Sequence, residues 1–305
     1  MAFVSNLTQY SAEGFAAGFT DIFAPFTNWL LPVVSKNGRL NDINRFQFAY
    51  VTGSSKPGDY TTGYVSSGGG IAGKAVTMNT WLYQDLVVND SEVHQVSGEA
   101  LASVNYQAGQ QVAADFLSSS LAPLLSATTT TSSLLTSNFS GSAGLAYLAN
   151  LALVNKWPVG QRVLVAGPAL YNALLQNTAV TVASNFANSG AEVARTGVLK
   201  NVYGFDVYPT TVNLGSSTNA TFTSSISGFI AAPGAFGICM AYHNPQAGAI
   251  GNGLIEANPM NGPSGIVLGY KKYYNAAISS MSNIVEVLGG ATAINPKALF
   301  IIGGV

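Results

Sequence analysis

Two histidines, one cysteine and a thin scatter of carboxylates are the residues from which any chemistry would have to be built. His94 stands near Asp90 and Glu92, His243 precedes Asn244 and Pro245, and Cys239 lies in the apolar run Phe236 to Met240. A metal centre needs three or four ligands at short spacing, such as His-x-x-x-His or paired cysteines, and neither pattern occurs. Cys239 would need a base beside it to act as a nucleophile; its apolar neighbours predict a buried, inert thiol instead. Glu256 and the pair Glu92 and Glu99 have no recognisable acid/base partner, and no Gly-x-Ser-x-Gly elbow is present. Gly68, Gly69 and Gly70 are not followed by Lys-Ser or Lys-Thr and a helix, so they do not form a phosphate-binding loop. No catalytic residue, cofactor site or metal site is expected.

The elements around these residues are better defined than the chemistry. Val93, Val96, Ala100, Val104, Ala108, Val112 and Phe116 recur three or four apart, which predicts one amphipathic helix from Asp90 to Pro123. Asp90 and Ser91 can cap its first N–H groups, and Pro123 should close it. At about 1.5 Å per residue it would run on the order of 45 Å, the spine of whatever fold forms. Before it, Phe46, Phe48 and Tyr50 alternate with polar or small residues, as do Val76 and Met78, predicting a long β-hairpin over Phe46 to Trp81. Its connection, Thr52 to Lys74, is too rich in Gly and Ser for a core and too long for a tight turn, so it should project. Near the start, Phe15, Phe19, Phe23 and Phe26 recur at helical spacing after Ser11; the stripe must be covered, either by the chain's own core or by a second subunit.

Beyond the spine, the Ser- and Thr-rich run Ser126 to Ser140 reads as a surface connection. Ser142 should cap a second helix marked by Leu145, Leu148, Leu151 or Ala152, and Asn155, ending before Pro158. Arg162 to Ala166 reads as a buried strand, Gly167 as a turn, and Pro168 as the first residue of a helix through Gln176. Arg195 to Asn213, RTGVLKNVYGFDVYPTTVN, predicts a short strand, a turn at Gly204 and a second strand from Phe205 to Tyr208.

Composition narrows the class of protein. Only 8% of the 305 residues are charged, against about 25% in soluble proteins generally, while 48% are hydrophobic. So few charges suit a surface largely covered by other copies of the same chain. The net charge of −1 offers no basic field to hold nucleic acid tightly. The first basic residue is Lys36, so no secretory signal is expected, and no run approaches the ~20 apolar residues of a membrane-spanning helix. A lone cysteine excludes an internal disulfide.

The strand pair around Gly204 and Phe205, placed after the strand and helix VLVAGPALYNALL, resembles the major capsid proteins of tailed bacteriophages, which share the Hong Kong 97-type fold. The order of elements carries the resemblance over nearly the whole chain. It implies an α+β fold with an N-terminal arm (1–44), an extended β-hairpin loop (45–88), a peripheral domain with the spine helix (89–140), an axial domain (141–262) and a return to the peripheral domain (263–305). FIAAPGAFGICM, Phe229 to Met240, is similar to the segment in which that family passes through its axial domain and starts a short helix. GIVLGYKKYY, Gly265 to Tyr274, is similar to the late strand that pairs back in the peripheral domain.

What the resemblance implies is assembly: hexamers and pentamers tiling a closed icosahedral shell around double-stranded DNA, in a virion assembled in the host cytoplasm. DNA would be contacted weakly and non-specifically, Lys271 and Lys272 being too few for a binding stripe. Contacts between subunits would come from the arm, through Phe15, Phe19, Phe23 and Trp29, and from the extended loop, through Lys56, Asp59, Tyr60, Tyr64 and Lys74. Some family members crosslink a loop lysine to a neighbour's asparagine; Lys56 and Lys74 lie in the matching loop, but the reading preferred for both is an ordinary solvated lysine that can pair with an acidic residue of the next subunit. The long scaffolding region of some members has no counterpart before the arm, so scaffolding is expected from a separate protein or not at all, with separate portal and decoration proteins as further partners. A compartment shell of the encapsulin type would match the same order of elements. A Ser/Thr-rich adhesin fits the composition but predicts mostly strands, and a transmembrane β-barrel would need many alternating segments where only Phe46 to Trp81 offers one.

Overall fold

A computed structural model describes residues 14–21, 38–42, 45–52, 70–89, 98–126, 131–178, 180, 199, 201–216, 225–241, 253–261 and 267–304. Its longest helix, α2, runs Gly98–Ser126, after a short helix α1 at residues 14–21. Asp90, Ser91, Val93 and Val96 lie outside the described residues. The helix passes through Pro123 instead of stopping there. The i−4 carbonyl that Pro123 cannot bond belongs to Ser119, and both residues are exposed, so that carbonyl is open to solvent.

The buried side of α2 agrees with the expected one at Ala108, Val112 and Phe116 and departs from it towards the start of the helix. Ala100 and Val104 are exposed; the covered stripe is Asn105, Gly109, Val112, Ala113, Phe116, Leu117, Leu121, Leu124 and Leu125. Its first half packs on α1 and its second half joins the main core, so two partners, and not one apolar face, decide the rotation of the helix.

The described strands form three sheets. β1 (Gly38–Asp42), β2 (Arg45–Thr52) and β3 (Gly70–Thr77) form an antiparallel sheet in that order, with Phe46 opposite Val76 and Phe48 opposite Lys74, the hairpin that the alternation predicts. After two residues the chain continues as β4 (Thr80–Asn89), an edge strand of a second sheet. There β13 (Ser280–Ala293) is central, pairing with β4, with β12 (Val267–Asn275) and with β10 (Phe236–Ala241), while β11 (Leu254–Asn261) pairs with β12. Leu82, Tyr270, Val285 and Val287 point from this sheet into the α2 core, and Gly289 lets the Phe116 ring lie directly on β13.

The third sheet has six strands in the order β5-β14-β9-β6-β8-β7. β6 (Val163–Ala166) and β8 (Phe205–Pro209) are parallel, joined through helix α4 (Pro168–Gln176) with Pro168 in its first turn, as the sequence predicts. β7 (Asn201–Val202) turns into β8 through Tyr203 and Gly204, whose positive φ of 81° suits glycine. β9 (Ile226–Ala231) and β14 (Leu299–Gly303) complete its buried centre, and α3 (Ser142–Val154) caps one side. Gly141, and not Ser142, occupies the N-cap of α3. Residues Thr131–Leu135, expected in a surface connection, form β5, because β14 offers them a parallel edge to pair with. The segment Phe229 to Met240 contains no helix: Gly234, at φ 78°, turns β9 straight into β10.

The sheets do not divide at the expected domain boundaries. β10 and β11, within 141–262, pair with β13 and β12; β14, within 263–305, belongs to the six-stranded sheet. One continuous apolar core, from Phe15 to Ile302, runs under α2 and both larger sheets.

Candidate assembly surfaces

Burial decides which residues remain available for another molecule. Phe15 and Phe19, expected to reach a second subunit, are wholly buried against α2 of their own chain, rings 6.3 Å apart. Three glycines make that contact possible. A Cβ on Gly14 would sit 2.7 Å from the Ala102 carbonyl oxygen, one on Gly18 would strike that of Tyr106, and one on Gly109 that of Phe15. The Tyr106 hydroxyl donates to the Asp21 carboxylate at 2.5 Å, and that bond, ahead of desolvation, pushes the phenol's pKa up. Phe23, Trp29, Lys56, Asp59, Tyr60 and Tyr64 lie outside the described residues, as do His94 and His243. Lys74 is described and exposed on β3.

Sequence reading missed the outer face of β4. Trp81 and Tyr83 are 58% and 63% exposed, in register with Leu288 and Glu286 of β13, and Val87 and Asp85 follow on the same face. In TWLYQDLVVN both faces carry apolar residues, so period-two alternation cannot tell the outer row from the inner one. Beside the row, on the same face, Glu286 is buried: Lys271 Nζ pairs with one of its oxygens at 2.5 Å and Trp81 Nε1 donates to the other at 3.0 Å. Lys271 and Lys272, too few by sequence for a DNA-binding stripe, are both buried. Burial lowers the Lys272 pKa, and Glu256, opposite it in register, pulls it partly back.

A second exposed apolar group stands where α3 ends: Leu153, Val154 and Val159 are 62%, 70% and 78% exposed. Elsewhere, a crevice of about 480 Å³ lies between α2, the N-terminal turn of α4 and the carboxyl ends of β6 and β8. It is lined mainly by apolar atoms, with Asp21, already bonded to Tyr106, as its carboxylate. Burial pushes the Cys239 thiol up to about 12, which leaves it protonated and unreactive near neutrality. Among the described residues no group of three or more His, Cys, Asp or Glu could hold a metal, and no helix is long and apolar enough to cross a membrane.

No protein-family model matches the sequence, and no curated protein is similar to it. Solved structures are similar in fold. The capsid of the cyanophage P-SCSP1u matches with a TM-score of 0.57 at 13% identity, over 90% of this chain and 86% of that one. The mature capsid of bacteriophage PhiM1 matches with a TM-score of 0.55 at 13% identity, over 87% and 83%. The virus-like particle from Pyrococcus furiosus matches with a TM-score of 0.50 at 12% identity, over 98% of both chains.

Proposed function

From the α+β Hong Kong 97-type capsid fold that this chain has, we propose that it is the major capsid protein of a tailed bacteriophage. The observation that carries the reading is the match of almost the whole chain to capsid subunits at a similar length. Copies would join as hexamers and pentamers into a closed icosahedral shell enclosing double-stranded DNA, in a virion assembled in the host cytoplasm. The role is structural: each subunit makes several modest contacts, and closure leaves few free edges.

The β2–β3 hairpin supports the extended-loop role. With β1 it forms a small sheet of its own, and Thr52 and Gly70 pair at its far end, where the sequence joining them carries Lys56, Asp59, Tyr60 and Tyr64. On a neighbour, the exposed Trp81 and Tyr83 face of β4 is a suitable landing surface, with Asp85 available to Lys74. Phe23 and Trp29 remain the arm's candidates for a neighbour. The peripheral unit would comprise α2 with the β13 sheet, and the axial unit the six-stranded sheet with α3 and α4. Scaffolding, portal and decoration proteins would be separate partners.

A second reading, a compartment shell enclosing protein, draws on the end-to-end match to the Pyrococcus furiosus particle. Negative-stain electron microscopy and size-exclusion chromatography of the chain expressed alone test both. Angular closed shells, or uniform rings of five or six, are expected; nuclease-protected DNA in particles from an infected host selects the phage reading, and a protein cargo the compartment. A chain that stays monomeric at high concentration, with or without candidate scaffolds, overturns both.

A further inference from the structure

The crevice of about 480 Å³ beside α2 lies where the parallel strands β6 and β8 end, the place at which α/β units commonly hold ligands. α4 turns one side towards it: Pro168, Tyr171, Asn172 and Leu175, spaced three and four apart. From α2 the described lining is the single small side chain of Ala114. A methyl group does not reach across, so Tyr171 and Leu175 stay only half-buried and the space between the two helices is unfilled.

The walls are tied in place. Thr210 N donates to the Ala166 carbonyl at 2.9 Å, and Thr210 Oγ1 accepts from Val212 N at 3.1 Å. Gly167 N donates to the Ser227 carbonyl at 2.7 Å, and the Tyr171 hydroxyl accepts from Leu199 N at 3.1 Å. Gly215 brings the chain after β8 back onto α2, where a Cβ would sit 3.0 Å from that of Ala122. A space framed in this way exists before a ligand arrives, so little order has to be gained on binding.

Its electrostatics have one sign. Among the described lining residues Asp21 alone is charged, and its partner, the Tyr106 hydroxyl on Oδ2, is neutral and leaves that charge unmatched. Asp115, next to Ala114 in α2, adds a second carboxylate, held at 3.0 Å by the uncharged Gln111 amide. A cation arriving at Asp21 gains a charge-assisted hydrogen bond on Oδ1, while an anion is repelled and a neutral group gains less. We propose that the crevice binds a primary amine carried on an apolar body, with the ammonium at Asp21 and the body between Ala114, Tyr171 and Leu175. The site belongs to the single subunit and stands apart from the shell reading.

The test offers the full-length chain three probes of one chain length, hexylammonium, hexanol and hexanoate, with binding read by titration calorimetry and by the unfolding midpoint. Hexylammonium is expected to bind saturably, with one site per chain, and roughly tenfold or more tighter than the other two. Asp21→Asn keeps an acceptor for Tyr106 but removes the charge, and should bring the amine down to the level of hexanol. Ala114→Leu, a good helix former at a half-buried position, should fill the crevice and abolish binding of all three probes. Thr211→Leu fills it from an exposed position on the opposite wall and serves if Ala114→Leu disturbs the fold by circular dichroism. No binding of hexylammonium at millimolar concentration, equal binding of the three probes, or binding untouched in the filled variants overturns the site.

Discussion

Glu286 shows what one residue must satisfy in the middle of a sheet. A carboxylate buried this deeply is tolerable only when paired and hydrogen-bonded; Lys271 supplies the opposite charge and Trp81 a hydrogen bond. Removing the cation alone strands the anion, so Lys271→Met should lower unfolding free energy in urea by about 3 to 5 kcal/mol, whereas Lys271→Met with Glu286→Leu should recover most of it. Cys239 gives a prediction of opposite character. Its folded pKa lies above the unfolded one, so its contribution is intact below pH 9 and lost as pH rises towards about 12. Stability measured from pH 9 upward should fall more steeply in the parent than in Cys239→Ala. Composition and neighbours made the thiol's burial legible, but not the burial of Lys271 and Lys272. Two adjacent lysines read as solvated until strands on both sides are known to cover them.

At the scale of elements, the contact between α1 and α2 is set by absent side chains. Gly14, Gly18 and Gly109 let two backbones touch while Phe15 and Phe19 fill the core beside them. Gly18→Val should push the helices apart, cost about 3 kcal/mol or more in chemical denaturation, and open residues 14–21 to proteolysis in otherwise folded protein. The aromatic spacing of α1 predicted a covered stripe; Gly14 and Gly18, four apart on the same helix, mark a face where another backbone could approach, but nothing local says that α2 is the one that does. The same division holds elsewhere. The β2–β3 hairpin, the β6–α4 unit and the Gly204 turn were readable because local pattern determines each. β5 and the tip of α2 were not. A strand of Thr and Ser forms because β14 offers an edge, and a proline is accepted because its carbonyl partner faces water.

For the whole molecule, the scarcity of charge governs how copies meet. With 8% charged residues, contacts between subunits must be mainly apolar and shape-driven, so raising salt from 0.1 to 1 M should shift half-assembly less than tenfold by light scattering. A net charge of −1 likewise predicts no retardation of double-stranded DNA in a gel at physiological salt and micromolar subunit.

The position of β14 also bears on how the chain is made. Leu299, Ile301 and Ile302 are fully buried in a strand that separates β5 from β9, so the six-stranded sheet has a gap until these residues arrive. Among the described strands of that sheet β14 comes last in chain order, so during synthesis the gap is the last part to be filled. β5, which is held to the sheet through β14, therefore joins it only after that strand has been made.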